Sequence, residues 1–158
     1  MTEAVQIGID PGLTGAVCVL NAAGELVELA DMPTQMTTTG RREINAACLA
    51  DLLRKYPGVP AAVERVGARP GEGAVGAFSF GFSQGSILAV LAVLGHPVRL
   101  VQPASWKRWA GIPAGADKQV SIGVAARLLP TAARHLTLRK HDGRADAALI
   151  ARFGQTHP

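Results

Sequence analysis

A tight turn near the N-terminus constrains the fold more than any other stretch of the sequence. The turn DPGLTG joins two apolar, β-rich runs, VQIGID and GAVCVL, and a third run, ELVELADM, follows after the short link from Asn21 to Gly24. Glycine, proline and asparagine at such links are typical of chain reversals between strands. Three strands in quick succession predict an antiparallel meander at the start of the chain.

Strands and helices alternate in the rest of the chain. We expect strands at PAAVERV and PVRLVQ, helices at EINAACLADLLRKY, SQGSILAVLAVLG, DKQVSIGVAARLLP and HDGRADAALIARF, and a short turn or helix at PASWKRWAG. The glycine-rich stretch GARPGEGAVGAFSFGF is not expected to be regular throughout. The alternation predicts an α/β fold: a mixed five-stranded sheet with parallel later strands and helices on both faces. No repeat or linker divides residues 1–158, which should form a single domain.

Charge is unevenly distributed along the chain. Residues 101–158 hold nine basic and three acidic residues, whereas residues 1–100 hold seven basic and nine acidic. A basic half on a small domain favours a polyanionic partner. The N-terminus lacks the basic and apolar regions of a signal peptide, and GSILAVLAVLG is too short to span a bilayer, so we expect a soluble protein. Cys18 and Cys48 belong to no cysteine or histidine cluster, which predicts two buried, reduced thiols.

Four acidic residues occupy positions where an ordinary surface charge is unexpected. Asp10 ends the first strand and Glu64 the fourth, while Asp142 and Asp146 project from one face of the last helix. At one edge of a sheet these carboxylates would repel one another unless cations are present. Mg²⁺ prefers oxygen ligands, and two such ions about 4 Å apart can clamp the attacking and leaving oxygens of a phosphodiester displacement. The pattern therefore suggests metal-assisted hydrolysis of a polyanion.

Each of these residues also has a purely structural interpretation. Asp10 can cap the DPG turn through its own side chain, and Glu64 can pair with the neighbouring Arg65. Asp142 stands at a predicted helix N-terminus, where the helix dipole favours a negative charge. Asp146 is followed by the apolar AALIA on a helix that must pack, so a solvated position fits it least.

Five segments that cover nearly the whole chain follow one another in the order of a known family. They are IGIDPGLTGAV, AAVERV, FSQGSILAVLAVLGHPVRLVQPASWKRWAG, DKQVSIGVAARLLP and HDGRADAALIA. They resemble the RuvC-type Holliday junction resolvases of the RNase H-like superfamily, including the short phage and prophage-like members. The resemblance implies a homodimeric endonuclease that nicks two opposed strands of a four-way DNA junction and leaves 5′-phosphate and 3′-hydroxyl ends. It further implies two Mg²⁺ ions per site (with Mn²⁺ as the alternative), a cytoplasmic, bacterial or phage-encoded protein, and a branch-migration helicase as a candidate partner.

The resemblance also assigns roles to individual residues. Asp10 matches the family's first-strand aspartate, Glu64 its glutamate and Asp146 its last-helix aspartate, and these three with Asp142 are the implied catalytic metal ligands. Two lysines fall where the family has basic residues near the scissile phosphate, and Lys118 is assigned to catalysis as well as to DNA binding. The implied DNA-binding residues are Lys107, Lys118, Arg69, Arg139 and Lys140.

Two departures from the family pattern affect the site. The family commonly spaces its last two acids by three residues, which would place the earlier one at Gly143; here Asp142 is the acid, and His141 is a rival ligand or proton shuttle. Relatives also present an aromatic residue soon after the glutamate, where this chain has RVGARPGEG. The later, alternating Phe78, Phe80 and Phe82 can stack on DNA or belong to the core.

Other functions remain open at this level. DPGLTG also satisfies D-x-G-x-T, the phosphate loop of actin-like ATPases and sugar kinases, but those proteins need two such domains. An RNase H-like nuclease that acts on RNA or RNA precursors is the main alternative, and a non-enzymatic DNA-binding module with a decayed site is another. The apolar helix can be core or dimer seam, and its composition favours core.

Overall fold

The sheet has the predicted mixed topology. A computed structural model describes residues 3–67 and 70–158. The strands are β1 (Ala4–Asp10), β2 (Ala16–Asn21), β3 (Leu26–Asp31), β4 (Thr34–Met36), β5 (Arg42–Ile44), β6 (Ala61–Glu64) and β7 (Val98–Val101). Five of them form one sheet in the order β3-β2-β1-β6-β7. The first three strands pair antiparallel, and β1, β6 and β7 pair parallel, which confirms the meander and the parallel later strands.

Helices cover both faces of this sheet, as expected. The α-helices are α1 (Ala46–Leu53), α2 (Ala74–Val93), α3 (Pro103–Ala110), α4 (Lys118–Leu128) and α5 (Asp142–Thr156). Two 3-10 turns, Pro130–His135 and Arg139–His141, connect α4 to α5. Asp117 caps α4 by accepting a hydrogen bond from the Gln119 amide (2.9 Å).

Alternation along the strands divides the core into two layers. Ile7 and Ile9 of β1 pack with Leu49 of α1 and Ile87 of α2 on one face of the sheet. On the other face, alternate residues of β2 and β6 pack with α3, α4 and α5. Side chains of a strand point to opposite faces in turn, so this two-layer core follows directly from the sequence pattern.

Gly8 lets α5 lie directly on the centre of the sheet. A Cβ atom at Gly8 would stand 2.3 Å from the Ala151 amide nitrogen and 2.4 Å from the Ala147 carbonyl oxygen. These are backbone atoms of α5, so only a residue without a side chain permits the contact. The helix that carries two of the candidate acids is thereby held against the strand that carries a third.

The segment between β3 and α1 differs from the prediction. EINAACLADLLRKY was expected to be helical from its start, but Glu43 and Ile44 belong to β5, which forms a hairpin with β4. Helix α1 begins at Ala46, after Asn45 accepts a hydrogen bond from the Cys48 amide (3.0 Å). The expectation that Cys48 is buried is wrong, because it lies on the exposed side of α1, whereas Cys18 is buried as predicted.

Helix α2 differs most from expectation. It spans 20 residues and includes much of the glycine-rich stretch, and only Ser83, Ile87 and Leu91 are buried, so the prediction of a core helix is wrong. Phe78 is 70% exposed and Phe82 50% exposed, so they are not core residues either.

Helix α2 extends well beyond the short apolar segment that the sequence indicated. Within residues 3–67 and 70–158 it is the one helix long and apolar enough to cross a membrane. Here it forms one layer of an α/β fold. The side-chain amide Nε2 of Gln84 in α2 donates a hydrogen bond to the backbone carbonyl oxygen of Glu64 (2.8 Å), which links the helix to the sheet.

Candidate active site

Strand register brings Asp10 and Glu64 together. Ile9 of β1 pairs with Val63 of β6 in parallel register, and the next residue of each strand is the acid that ends it. By the alternation of side chains, Asp10 shares a face with Gly8, and that face is covered by α5. The two carboxylates therefore lie side by side at the carboxyl edge of the parallel strands.

Helix α5 contributes the other two acids. A Cβ atom at Gly143 would stand 2.2 Å from the Thr14 carbonyl oxygen, so the first turn of α5 rests on the loop that follows Asp10. No carboxylate could occupy position 143 here, which explains physically why the acid stands at Asp142. Asp146 lies one turn further along the same helix.

Protein groups contact all four carboxylates, three through hydrogen bonds and the fourth through an ion pair. Asp10 accepts a hydrogen bond from the Gly12 amide (3.2 Å), so its turn-capping role exists beside any other. The indole N–H of Trp106 donates to Oε2 of Glu64 (2.7 Å), and the Ser121 hydroxyl donates to Asp146. Asp142 pairs with the ammonium group of Lys118 (2.7 Å).

Two of these carboxyl groups are costly to ionise in this position. Burial, and then the charge of the neighbouring Glu64, raise the pKa of Asp10 to about 7. Burial also raises the pKa of Asp146 to about 6, with a smaller contribution from Glu64 and a partial offset from the Ser121 hydrogen bond. Each acid also feels the charge of Asp142. Burial is the main cause of both pKa shifts, and repulsion among the carboxylates adds to it.

The donor set suits a hard divalent cation, although no closed metal site stands ready. No group of three or more His, Cys, Asp or Glu side chains within the described ranges is placed so that it could hold an ion. Oδ1 of Asp146 is nevertheless buried and has no hydrogen-bond partner in the part of the chain that the structure describes. The exposed pair between Asp142 and Lys118 is of the weak kind that an incoming cation can replace. The residues present therefore fit Mg²⁺ in chemistry and charge.

The predicted basic residues lie at different distances from this cluster. Lys107 faces it, because its charge lowers the pKa of Asp146, and Lys118 touches it through Asp142. The hydrogen bond to Asp142 also raises the pKa of Lys118. Arg139 is exposed and pairs instead with Asp117 (2.8 Å).

Lys140, His141 and Arg69 complete the predicted set. Lys140 is exposed and lines a groove with His141 and Arg144. Nδ1 of His141 accepts a hydrogen bond from the Leu138 amide (3.2 Å), so this nitrogen closes the turn before α5. Arg69 lies outside the described residues.

A cleft of about 270 Å³ opens beside the acids and is lined by Asp10, Glu64, Phe80 and Pro103 among others. Sequence reasoning assigned no role to Trp106 or Ser121, which hold Glu64 and Asp146. Ser121 lies one turn after Lys118 on α4, so the shared helix face was a signal that could have found it. Trp106 stands beside Lys107 in the segment PASWK, which carried the family resemblance.

Part of the chain is similar in sequence to a Holliday junction resolvase. The chain is 35% identical over 82 residues to the chloroplastic Holliday junction resolvase MOC1 of Chlamydomonas reinhardtii. The match covers 52% of this chain but only 9% of the length of that relative. No protein-family profile matches the chain.

The fold is that of RuvC. The structure of RuvC from Thermus thermophilus in complex with a Holliday junction substrate matches 96% of this chain and 90% of its own, with a TM-score of 0.63 and 20% identity. A second structure of Thermus thermophilus RuvC matches 94% of this chain and 96% of its own, with a TM-score of 0.54 and 20% identity. These matches confirm the RNase H-like fold that the sequence resemblance predicted.

Proposed function

On the premise that this chain carries the RuvC fold, we propose that it is a metal-dependent endodeoxyribonuclease that resolves four-way DNA junctions. It would make paired, symmetric nicks and leave 5′-phosphate and 3′-hydroxyl ends, acting in the cytoplasm of a bacterium or a phage-infected cell. The observation that best supports the proposal is that Asp10, Glu64 and Asp146 lie close enough at one sheet edge to feel one another's charge, with no hydrogen-bond partner for Oδ1 of Asp146 among the described residues.

The four carboxylates would hold the metal. Asp10, Glu64, Asp142 and Asp146 supply oxygen ligands for Mg²⁺ or Mn²⁺, which at such sites activates water and neutralises charge on the scissile phosphate. Lys107 then presents positive charge to the same edge of the sheet. A cation held by Asp142 would free the ammonium group of Lys118, which now pairs with Asp142, to contact the phosphate. Charge that develops there is stabilised by donors already in place.

The exposed surface of α2 supports a homodimer. Six exposed residues follow one another at spacings of three and four, which is the pattern of a helix–helix seam. We call them the α2 seam; they are Val75, Phe78, Phe82, Gly85, Ala89 and Ala92. No charged residue occurs in α2, so the seam suits a second copy of the same apolar surface. Two sites related by a twofold axis would account for two symmetric nicks.

The dimer is tested by placing a charge on the seam. Ala89→Glu should convert the dimer to a monomer in sedimentation velocity and leave single nicks instead of paired ones. Ala47→Glu is the matched control, because Ala47 is exposed on a different helix, α1. An Ala89→Glu protein that sediments like the wild type would exclude α2 as the interface.

Cleavage assays test the proposed reaction. Labelled four-way junction, linear duplex and RNA–DNA hybrid are incubated with Mg²⁺ or with EDTA, using wild type and Asp146→Asn. Asp51→Asn is the control, since Asp51 is an exposed acid of α1 that pairs with Arg54. Symmetric, Mg²⁺-dependent nicks in the junction alone, lost in Asp146→Asn and kept in Asp51→Asn, support the proposal. Cleavage of the hybrid or of RNA instead would replace it with an RNA-directed nuclease, and junction binding without any cleavage would point to a decayed site.

A further inference from the structure

Trp106 contacts the acid cluster from within the core. Its side chain is fully buried, and its Nε1–H donates to Oε2 of Glu64 at 2.7 Å. The backbone builds this contact: Glu64 pairs with Val101 across β6 and β7, and α3 begins two residues later at Pro103. Trp106 follows in the first turn of α3, directly over the end of β6.

Trp106 and Lys118 hold their carboxylates in different ways. Asp142 is held by Lys118, a cation whose side chain is 62% exposed, and a divalent ion must compete with it. Trp106 is neutral, so its hydrogen bond orients the Glu64 carboxylate without cancelling its negative charge. Partners of this kind around metal ligands fix ligand orientation and strengthen metal binding.

We propose that Trp106 is a positioning residue for metal binding: its N–H fixes one oxygen of Glu64 and so limits the reorientation that this carboxylate needs to bind a divalent cation together with Asp10 and Asp146. This role rests on the proposed function, because it presumes the metal site described there. It adds to that function a residue that touches neither the metal nor the DNA.

Packing alone is the competing explanation. Trp106 belongs to the same apolar cluster as Ala145 and Leu149 of α5, and a buried indole N–H needs an acceptor in any case. A test must therefore separate the orientation of Glu64 from the filling of the core. Trp106→Phe removes the N–H donor and keeps an aromatic ring in the same space.

Mn²⁺ binding to the full-length chain without DNA provides the measurement. Isothermal titration with Mn²⁺ should show about 10- to 100-fold weaker binding for Trp106→Phe than for wild type. Trp109→Phe is the matched control, because Trp109 lies on the same helix but packs its ring against Phe153 (5.7 Å between centroids). Its Mn²⁺ affinity should stay within about twofold of wild type.

A double-mutant comparison separates the two explanations. In a Glu64→Ala background the acceptor is gone, so adding Trp106→Phe should change Mn²⁺ affinity by less than about twofold. An equal loss with and without Glu64 would mean that Trp106 acts through packing, and unchanged affinity in the single variant would likewise overturn the role. If wild type bound no Mn²⁺, the proposed metal site would fail together with this inference. If it bound Mn²⁺ normally but cut no junction, only the reaction would fail.

Discussion

Replacing Gly8 by alanine should move α5 away from β1 and disturb the candidate site. The new Cβ would meet three backbone atoms of α5 at 2.3, 2.4 and 2.6 Å, whereas ordinary contacts begin near 3.4 Å, so the helix must shift by about 1 Å. Overpacking of this kind typically costs about 1–3 kcal/mol, and backbone atoms yield less than flexible side chains, so we expect about 3 kcal/mol. Asp146 precedes Ala147, one of the contacted residues, and a 1 Å misplacement can lower a rate by about 100-fold.

Urea denaturation and the nicking assay check both effects of Gly8→Ala. The matched control is Gly123→Ala in the interior of α4, where an added Cβ meets nothing within 4 Å. That change should raise the free energy of unfolding by up to about 1 kcal/mol, because alanine favours helix over glycine. If Gly8→Ala cost less than about 1 kcal/mol and kept full activity, α5 would not lie on β1 as described.

Two further substitutions separate charge from packing. At pH 8, Asp146→Asn should stabilise the metal-free protein by about 3 kcal/mol, because a carboxyl whose pKa is raised from 3.8 to about 6 is held ionised at a cost that the amide avoids. At pH 4 that gain should vanish, and urea denaturation at the two pH values checks both. Lys118→Ala should change stability by less than about 1 kcal/mol, since its pair with Asp142 is exposed, yet slow nicking by about 100-fold. If Lys118→Ala lowered the free energy of unfolding by as much as the slower nicking corresponds to in activation free energy, this second prediction would be contradicted.

Much of the fold could be predicted from the sequence because the main strands and α5 carry strong periodic signals. Strand β1 is buried on both faces, with Ile7 and Ile9 on one face and Gly8 on the other. The acids stand at strand ends, so register alone brings Asp10 beside Glu64. The hairpin of β4 and β5 was missed because each strand has only three residues and a mostly polar sequence. Such short strands have no period to detect, and their pairing depends on the tertiary fold.

The failure at α2 has a different cause. An apolar helix can be buried in the core of its own chain or against a second chain, and composition does not distinguish these two cases. The sequence prediction therefore placed the whole of α2 in the core, although one face of the helix is exposed. Two details of the candidate site also could not be predicted from the sequence. That Gly143 must lack a side chain depends on its contact with Thr14, and the role of Trp106 depends on α3 folding back over β6.

The central claim is that burial, and then the charges of neighbouring carboxylates, make the acids at this sheet edge costly to ionise until a divalent cation binds. In the folded protein the pKa of Asp10 is raised from 3.8 to about 7, so between these values the native state keeps a proton that the unfolded state has lost. The free energy of unfolding must then fall as pH rises through this window.

The most direct test is the free energy of unfolding measured from pH 4 to pH 8 in EDTA and in saturating Mg²⁺, for wild type and Asp10→Asn. Wild type in EDTA should lose about 4 kcal/mol relative to Asp10→Asn across this range. Mg²⁺ should restore most of that loss at pH 8 and little at pH 4, because its ligands must be deprotonated. Parallel curves for the two proteins in EDTA, or equal stabilisation by Mg²⁺ at both ends of the range, would contradict the claim.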